Sequence, residues 1–353
     1  MEHDRSHGTT TDKQETICFC LHEDERRTFF PDDLKPELRA LDCQLLWRES
    51  PKNTDELIAL LNETQTRILV GSWSLPPLPK ERQLIPTLEC YCHVAGDIRG
   101  TVPLSLIREG FACSNWGNSI GRVVAEHALL LVLMCLRQAS DWTLAMHCNG
   151  AWKNNKNWGA RSLFGRRVGI HGFGGVARGL VRLLGPFGCQ IAACSDSPPD
   201  DLFAQHGVTR LRSLDELFDW ADIVVEAEVH NEQTERSVRE KHLRALGDGV
   251  FVNVGRAALV DEAALLKVAN EGKLRIGLDV YHVEPLPVDS SLRNLPSVCL
   301  FPHIGGPTLD RRIDAGRYCL KQVKAFLCGK IPKPPHYGGH STSSSRERHG
   351  PEA

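Results

Sequence analysis

The sequence predicts an α/β protein built as two domains, each a doubly wound sheet of parallel strands with helices on its faces, around an interdomain cleft. Three observations lead there. The 353 residues exceed what one hydrophobic core usually organises. Short apolar runs alternate with helix-length amphipathic stretches along the chain. A glycine-rich turn, Gly172-Phe173-Gly174-Gly175, joins an apolar strand to a helix.

In the first part, Thr16 to His22 reads as a buried strand, and Asn53-Thr54-Asp55-Glu56 supplies helix-start chemistry before Leu57 to Leu61. Arg67 to Val70, Glu89 to Val94 and Phe111 to Ser114 continue the strand pattern. Asn118-Ser119 offers a cap for a long helix through Val123, Ala128, Val132 and Leu136, apolar enough to be buried between domains. A polar stretch from Cys148 to Ser162 follows, with Gly150, Asn154, Asn155 and Gly159 as turn residues. Strands then recur at Arg167 to His171, Gln190 to Cys194, Ile223 to Glu226, Gly249 to Val252 and Ile276 to Val280, and an amphipathic helix closes the pattern at Leu309 to Leu327. The expected division is a first domain of residues 15–116 and 303–335, a second of residues 117–302, and disordered tails at 1–14 and 336–353.

Composition narrows the function classes. Lys and Arg total 42 against 44 Asp and Glu, so the chain lacks the positive field that a nucleic-acid partner requires. The lead-in, Met1 to Glu15, is polar and has no apolar stretch of the secretory kind, which points to a cytoplasmic chain. Ala128 to Leu136 falls well short of the roughly 18 apolar residues of a membrane span, so no membrane role is expected. The 13 cysteines are odd in number and without an export signal, so reduced thiols are expected. Cys18 and Cys20, like Cys90 and Cys92, would share a strand face; no CxxC pair exists, and no metal site is predicted.

The chemistry concentrates in the second domain. Arg167 to His171 runs into Gly172-x-Gly174-x-x-Ala177, a variant of the Rossmann-type dinucleotide fingerprint. The first glycine permits the turn, and the second lets backbone N–H groups approach a pyrophosphate at the positive end of the helix. Asp196 closes the next strand, where a carboxylate accepts from both ribose hydroxyls and repels a 2′-phosphate. No arginine follows it in Ser197-Pro198-Pro199-Asp200, so NAD is favoured over NADP. Three more segments end strands in order: Val252-Asn253-Val254-Gly255-Arg256, then Asp279 to Glu284, then Pro302-His303-Ile304-Gly305. An arginine, a carboxylate and a histidine meeting at one sheet edge are the equipment for reducing a 2-keto acid.

From about Gly96 to Gly329 these segments resemble the D-isomer-specific 2-hydroxyacid dehydrogenases. The likeness rests on Val124-Ala125-Glu126, Gly150-Ala151-Trp152, Leu163-Phe164-Gly165 with the strand after it, Leu259-Val260-Asp261-Glu262, Asp279-Val280, Glu284-Pro285-Leu286-Pro287 and Pro302-His303-Ile304. It implies two Rossmann-like domains, hydride transfer between NAD and a 2-hydroxy or 2-keto acid, and a homodimer. Arg256 would bind substrate, His303 would be the acid–base group and Glu284 its partner. Cofactor contacts are expected at Gly172, Gly174, Gly175, Val176, Asp196, Val254, Asp279 and Gly305. The loop Val70 to Ser74 resembles the family's substrate-carboxylate cradle, making Gly71 and Ser72 substrate-binding candidates; a plain solvent loop is the alternative.

Four departures stand out: Ala177 at the third glycine, Ala257 after the arginine, His171 where an aliphatic residue is usual, and Glu228-Val229-His230 where His-x-Pro is frequent. Glu284 differs from the glutamine of formate dehydrogenases. The alternative of another class is a dinucleotide-sensing scaffold resembling the C-terminal-binding-protein corepressors, which would bind NADH with little turnover.

Overall fold

The computed structural model describes residues 15–153 and 159–332. The predicted tails and the turn at Asn154 and Asn155 lie outside the described residues. The described residues divide into two compact units: residues 15–117 with 312–332, and residues 118–153 with 159–311. The second junction thus falls nine residues beyond the predicted one, and His303, assigned by the sequence to the first domain, stays with the second unit.

The first unit is a five-stranded parallel sheet in the order β2-β1-β3-β4-β5, with β1 Thr16–Cys20, β2 Gln44–Arg48, β3 Ile68–Gly71, β4 Cys90–His93 and β5 Ala112–Ser114. β1, β3 and β4 are buried at every residue, which is why they read as unbroken apolar runs rather than alternating ones. β2 is the edge strand that sequence patterning misses, because its ends, Gln44 and Arg48, are exposed. Trp47 fastens it by stacking on Phe19, centroid to centroid 4.2 Å. All 13 cysteines are free thiols, and the Cys18–Cys20 and Cys90–Cys92 sulfurs lie 3.5 and 3.9 Å apart within the core.

His93, at the end of β4, is buried, and its Nδ1 lies 2.6 Å from the Tyr91 hydroxyl. Burial pushes its pKa down to about 4, against the weaker opposing pull of Asp97. The unfolded chain therefore binds a proton that the folded chain refuses. The stability this confers is full above the unfolded value of about 6.5 and is lost as pH falls toward 4. Urea denaturation between pH 7 and pH 4 should show the first unit losing about 3 kcal/mol from this group. His93→Leu should flatten that decline, and a parallel decline in the variant would remove His93 as its cause.

The second unit is a seven-stranded parallel sheet, β12-β11-β10-β9-β6-β7-β8. Its strands are β6 Arg167–His171, β7 Gln190–Cys194, β8 Thr209–Arg210, β9 Ile223–Glu226, β10 Val250–Asn253, β11 Arg275–Leu278 and β12 Val298–Leu300. Strand order reverses between β6 and β9, which puts the switch point of the sheet beside Gly172.

The long apolar helix is Gly121–Arg137, led by Ile120 without a side-chain cap. Its buried face is taken up within its own unit. Small residues let it approach: a Cβ on Gly121 would stand 2.8 Å from the Gly175 carbonyl carbon, and one on Gly277 of β11 would stand 3.2 Å from Leu131 Cβ. Asn118, the predicted cap, lies instead against Gly175. Gln138, at φ +51°, breaks the helix and starts another, Ala139–Asn149, whose Leu144 and Met146 are exposed. Among the described residues no single helix is long and apolar enough to cross a membrane.

Candidate active site

Because every pairing in the second sheet is parallel, the C-terminal ends of β6, β7, β9, β10, β11 and β12 share one edge. All the candidate residues of this unit follow those ends. Gly172 takes φ +96°, and a side chain there would meet the Ala227 carbonyl oxygen at 2.7 Å, so the turn requires glycine on both counts. A Cβ on Gly174 would meet nothing within 4 Å, leaving open space before the helix Gly175–Leu184. That space suits a diphosphate approached by backbone N–H groups. Gly175 serves packing, since a Cβ there would stand 2.5 Å from Asn118 Oδ1. Ala177 is fully buried beneath the turn, and Val176 is half-buried.

Asp196 is exposed two residues past β7. No arginine follows it in sequence, yet β8 delivers one: Arg210 donates to the Ser195 carbonyl at 2.9 Å and to the Asp200 carboxylate. His171 does not face the turn's open side. Its ring is buried, with Nδ1 2.6 Å from Oε2 of the fully buried Glu226, its register partner on β9. Burial pushes the His171 pKa down, but the Glu226 charge and hydrogen bond outweigh it and hold the imidazole above its ordinary range.

Arg256 is presented by a tight polar turn after β10. Asn253, almost fully buried, accepts from the Gly255 N–H at 3.0 Å and donates to the Arg256 carbonyl at 3.1 Å. Ala257 is buried in the 3-10 turn that follows, and Val254 donates its N–H to the Glu226 carbonyl at 3.1 Å.

His303 and Glu284 meet: His303 Nδ1 lies 2.7 Å from Glu284 Oε2, with both side chains more than one-third exposed. The other carboxylate oxygen accepts from the Tyr281 N–H at 2.9 Å. The Tyr281 hydroxyl reaches the Phe301 carbonyl at 2.7 Å, so one residue ties the Glu284 loop to the strand that leads to His303. Arg293 braces the same loop by donating to the Leu286 and Pro287 carbonyls at 2.7 and 2.8 Å. His303 itself sits at φ +55°, a left-handed conformation unusual for a non-glycine residue and common where function dictates geometry.

Asp279 explains how that conformation is held. It is buried, and its two oxygens accept from the Ile304 and Gly305 N–H groups at 2.9 and 2.8 Å. His127 Nε2 is 3.3 Å from the same carboxylate but too poorly aligned for a hydrogen bond. Asp279 thereby anchors the histidine turn, a role its spacing did not suggest. Gly305 must be glycine because a Cβ would stand 2.7 Å from Asp279 Oδ2. A cavity of about 740 Å³ opens beside the pair, walled by Tyr281, Leu286, Arg293, Leu300 and Phe301.

Gly71 and Ser72 belong to the first unit, at the end of β3. A side chain on Gly71 would meet Leu75 Cδ2 at 2.8 Å, and Ser72 Oγ is buried without a hydrogen-bond partner.

Fold and site together define a Rossmann-type dinucleotide-binding protein with a histidine–carboxylate pair on the edge of its sheet. A family model described as the NAD-binding domain of D-isomer-specific 2-hydroxyacid dehydrogenases matches residues 129–305. The chain is 30% identical over 314 residues to the glyoxylate reductase of Thermococcus kodakarensis, covering 86% of this chain and 89% of that protein. It is 33% identical over 220 residues to the D-3-phosphoglycerate dehydrogenase of Mycobacterium tuberculosis, a match spanning 61% of this chain and only 40% of that longer protein. The NAD-complexed D-isomer-specific 2-hydroxyacid dehydrogenase of Lactobacillus delbrueckii has the same fold, with a TM-score of 0.75 at 16% identity over 91% of this chain and 99% of that one. The chain belongs to the D-isomer-specific 2-hydroxyacid dehydrogenase family.

Proposed function

We propose that the protein is an NAD-dependent oxidoreductase that interconverts a D-2-hydroxy acid and its 2-keto acid. The observation that carries this reading is the His303–Glu284 pair at 2.7 Å, set on the same strand-end edge as the Gly172 turn. The Gly172 and Gly174 backbone and the start of the helix Gly175–Leu184 would hold the diphosphate, and Asp196 the adenosine ribose. NADH, when bound, supplies the hydride.

The remaining steps belong to the chain's own residues. Arg256 pairs its guanidinium with the substrate carboxylate and orients the keto group. His303, held through Nδ1–H by Glu284, gives the proton on Nε2 to the carbonyl oxygen as the carbon is reduced, and is left as neutral imidazole. In the reverse direction the neutral ring takes the hydroxyl proton. Glu284 keeps the tautomer that makes Nε2 the working nitrogen. Gly71 and Ser72 would receive the substrate carboxylate; the unpartnered Ser72 hydroxyl supports that assignment. A homodimer accords with the exposed Leu130, Leu144 and Met146 of the second unit.

Following NADH absorbance at neutral pH against glyoxylate, hydroxypyruvate, pyruvate, longer 2-keto acids and phosphohydroxypyruvate tests the proposal. Turnover of at least one acid is expected. Tight NADH binding without turnover of any would replace this reading with the scaffold one.

A further inference from the structure

Two of the departures noted in the sequence, His171 and Glu228, belong to one network at the switch point. Glu226, at the end of β9, binds His171 through Oε2 and accepts the Glu228 N–H through Oε1 at 2.9 Å. Glu228 in turn reaches across to the end of β7: its Oε2 accepts from the buried Ser195 hydroxyl at 2.6 Å, and its Oε1 accepts from the Val229 N–H at 2.8 Å. The glycine turn lies directly on this segment, since a Cβ on Gly172 would stand 2.8 Å from the Glu228 Cα. A half-buried carboxylate is thus fixed against the residue that precedes Asp196.

The positive charge nearby is already committed. Arg210 donates to the Ser195 carbonyl and to Asp200, lies over the Phe203 ring at 4.9 Å, and Arg212 donates to the same Asp200 at 2.9 Å. His171 is spent on Glu226. Asp196 and Glu228 therefore remain as the two carboxylates flanking the strand end at which a ribose 2′-substituent would lie.

We infer that Glu228 is a second determinant of cofactor choice, whose charge disfavours a 2′-phosphorylated dinucleotide independently of Asp196. The inference rests on the proposed placement of the adenosine ribose beside Asp196. A 2′-phosphate carries close to two negative charges, and its repulsion by a fixed carboxylate within several ångströms is large in a partly dehydrated site. Neutralising Glu228 removes that repulsion while leaving the bonds of Arg210 in place.

The test is direct titration of the protein with NADH and NADPH by nucleotide fluorescence, at low and high salt. Glu228→Gln keeps one oxygen to accept the Ser195 hydroxyl and removes the charge, at the cost of the acceptor for the Val229 N–H. The variant should narrow the gap between the two dissociation constants by about tenfold, and less at high salt. Asp196→Ala, at an exposed position, should still prefer NADH, and the double variant should lose most of the preference. A Glu228→Gln ratio equal to that of the unmodified protein would overturn the inference and leave Glu228 as a clamp on Ser195. Equal affinity for both dinucleotides in Asp196→Ala alone would overturn it independently, should Glu228→Gln fail to fold. If the unmodified protein binds neither dinucleotide, the cofactor reading falls and this inference with it; NADH binding with unmoved ratios removes the Glu228 role alone.

Discussion

His303→Ala is expected to lower kcat for 2-keto acid reduction by about a thousandfold, the usual worth of a positioned general acid. The ring is half-exposed and packs little, so the loss is chemical rather than structural. Because His303 lies at φ +55°, alanine adds a backbone cost of its own, and His303→Asn separates the two effects. Asparagine tolerates the left-handed conformation yet cannot supply a titrating proton. Both variants should bind NADH and melt near the parent temperature while turning over at similar, very low rates. Turnover within about tenfold of the parent in either would sink the assignment of His303 as the acid.

The second large effect concerns stability. His171→Ala leaves the Glu226 carboxylate fully buried without its partner, and breaking a buried pair from one side costs about 3–5 kcal/mol. The double replacement His171→Leu with Glu226→Leu removes both charges and should recover most of that loss. The pH dependence has a defined sign. With its folded-state pKa raised by Glu226, His171 contributes fully below the unfolded imidazole value and loses that contribution as pH rises through the folded value. Chemical denaturation should therefore show the gap between parent and His171→Ala narrowing on the alkaline side. A double variant no more stable than His171→Ala would mean that packing around the pair, rather than its charges, sets the cost.

The catalytic candidates were legible because each belongs to a short local pattern. A glycine turn after a buried strand, an acid at the next strand end, and Arg256, Glu284 and His303 after three further strands can all be read along the chain. The strands with both faces covered were legible for the same reason, as β1, β3, β6, β7 and β9 show. The structure corrects the reading where partners are distant. β2 is an exposed edge, and the two-residue β8 has no periodicity to detect, yet β8 brings Arg210 to the Ser195 carbonyl beside Asp196. The helix Ala139–Asn149 is exposed on much of its surface and so gives a weak apolar stripe.

By itself the sequence determined the α/β class, the fingerprint turn and the order of the candidate site residues, because turn chemistry and strand burial act over a few neighbouring positions. Only the tertiary structure decided that Asp279 anchors the His303 turn, that Tyr281 joins its strand to the Glu284 loop, and that His171 is spent on a carboxylate 55 residues away. Those bonds depend on parallel register. Register places strand ends side by side irrespective of their separation along the chain, and no local pattern records it.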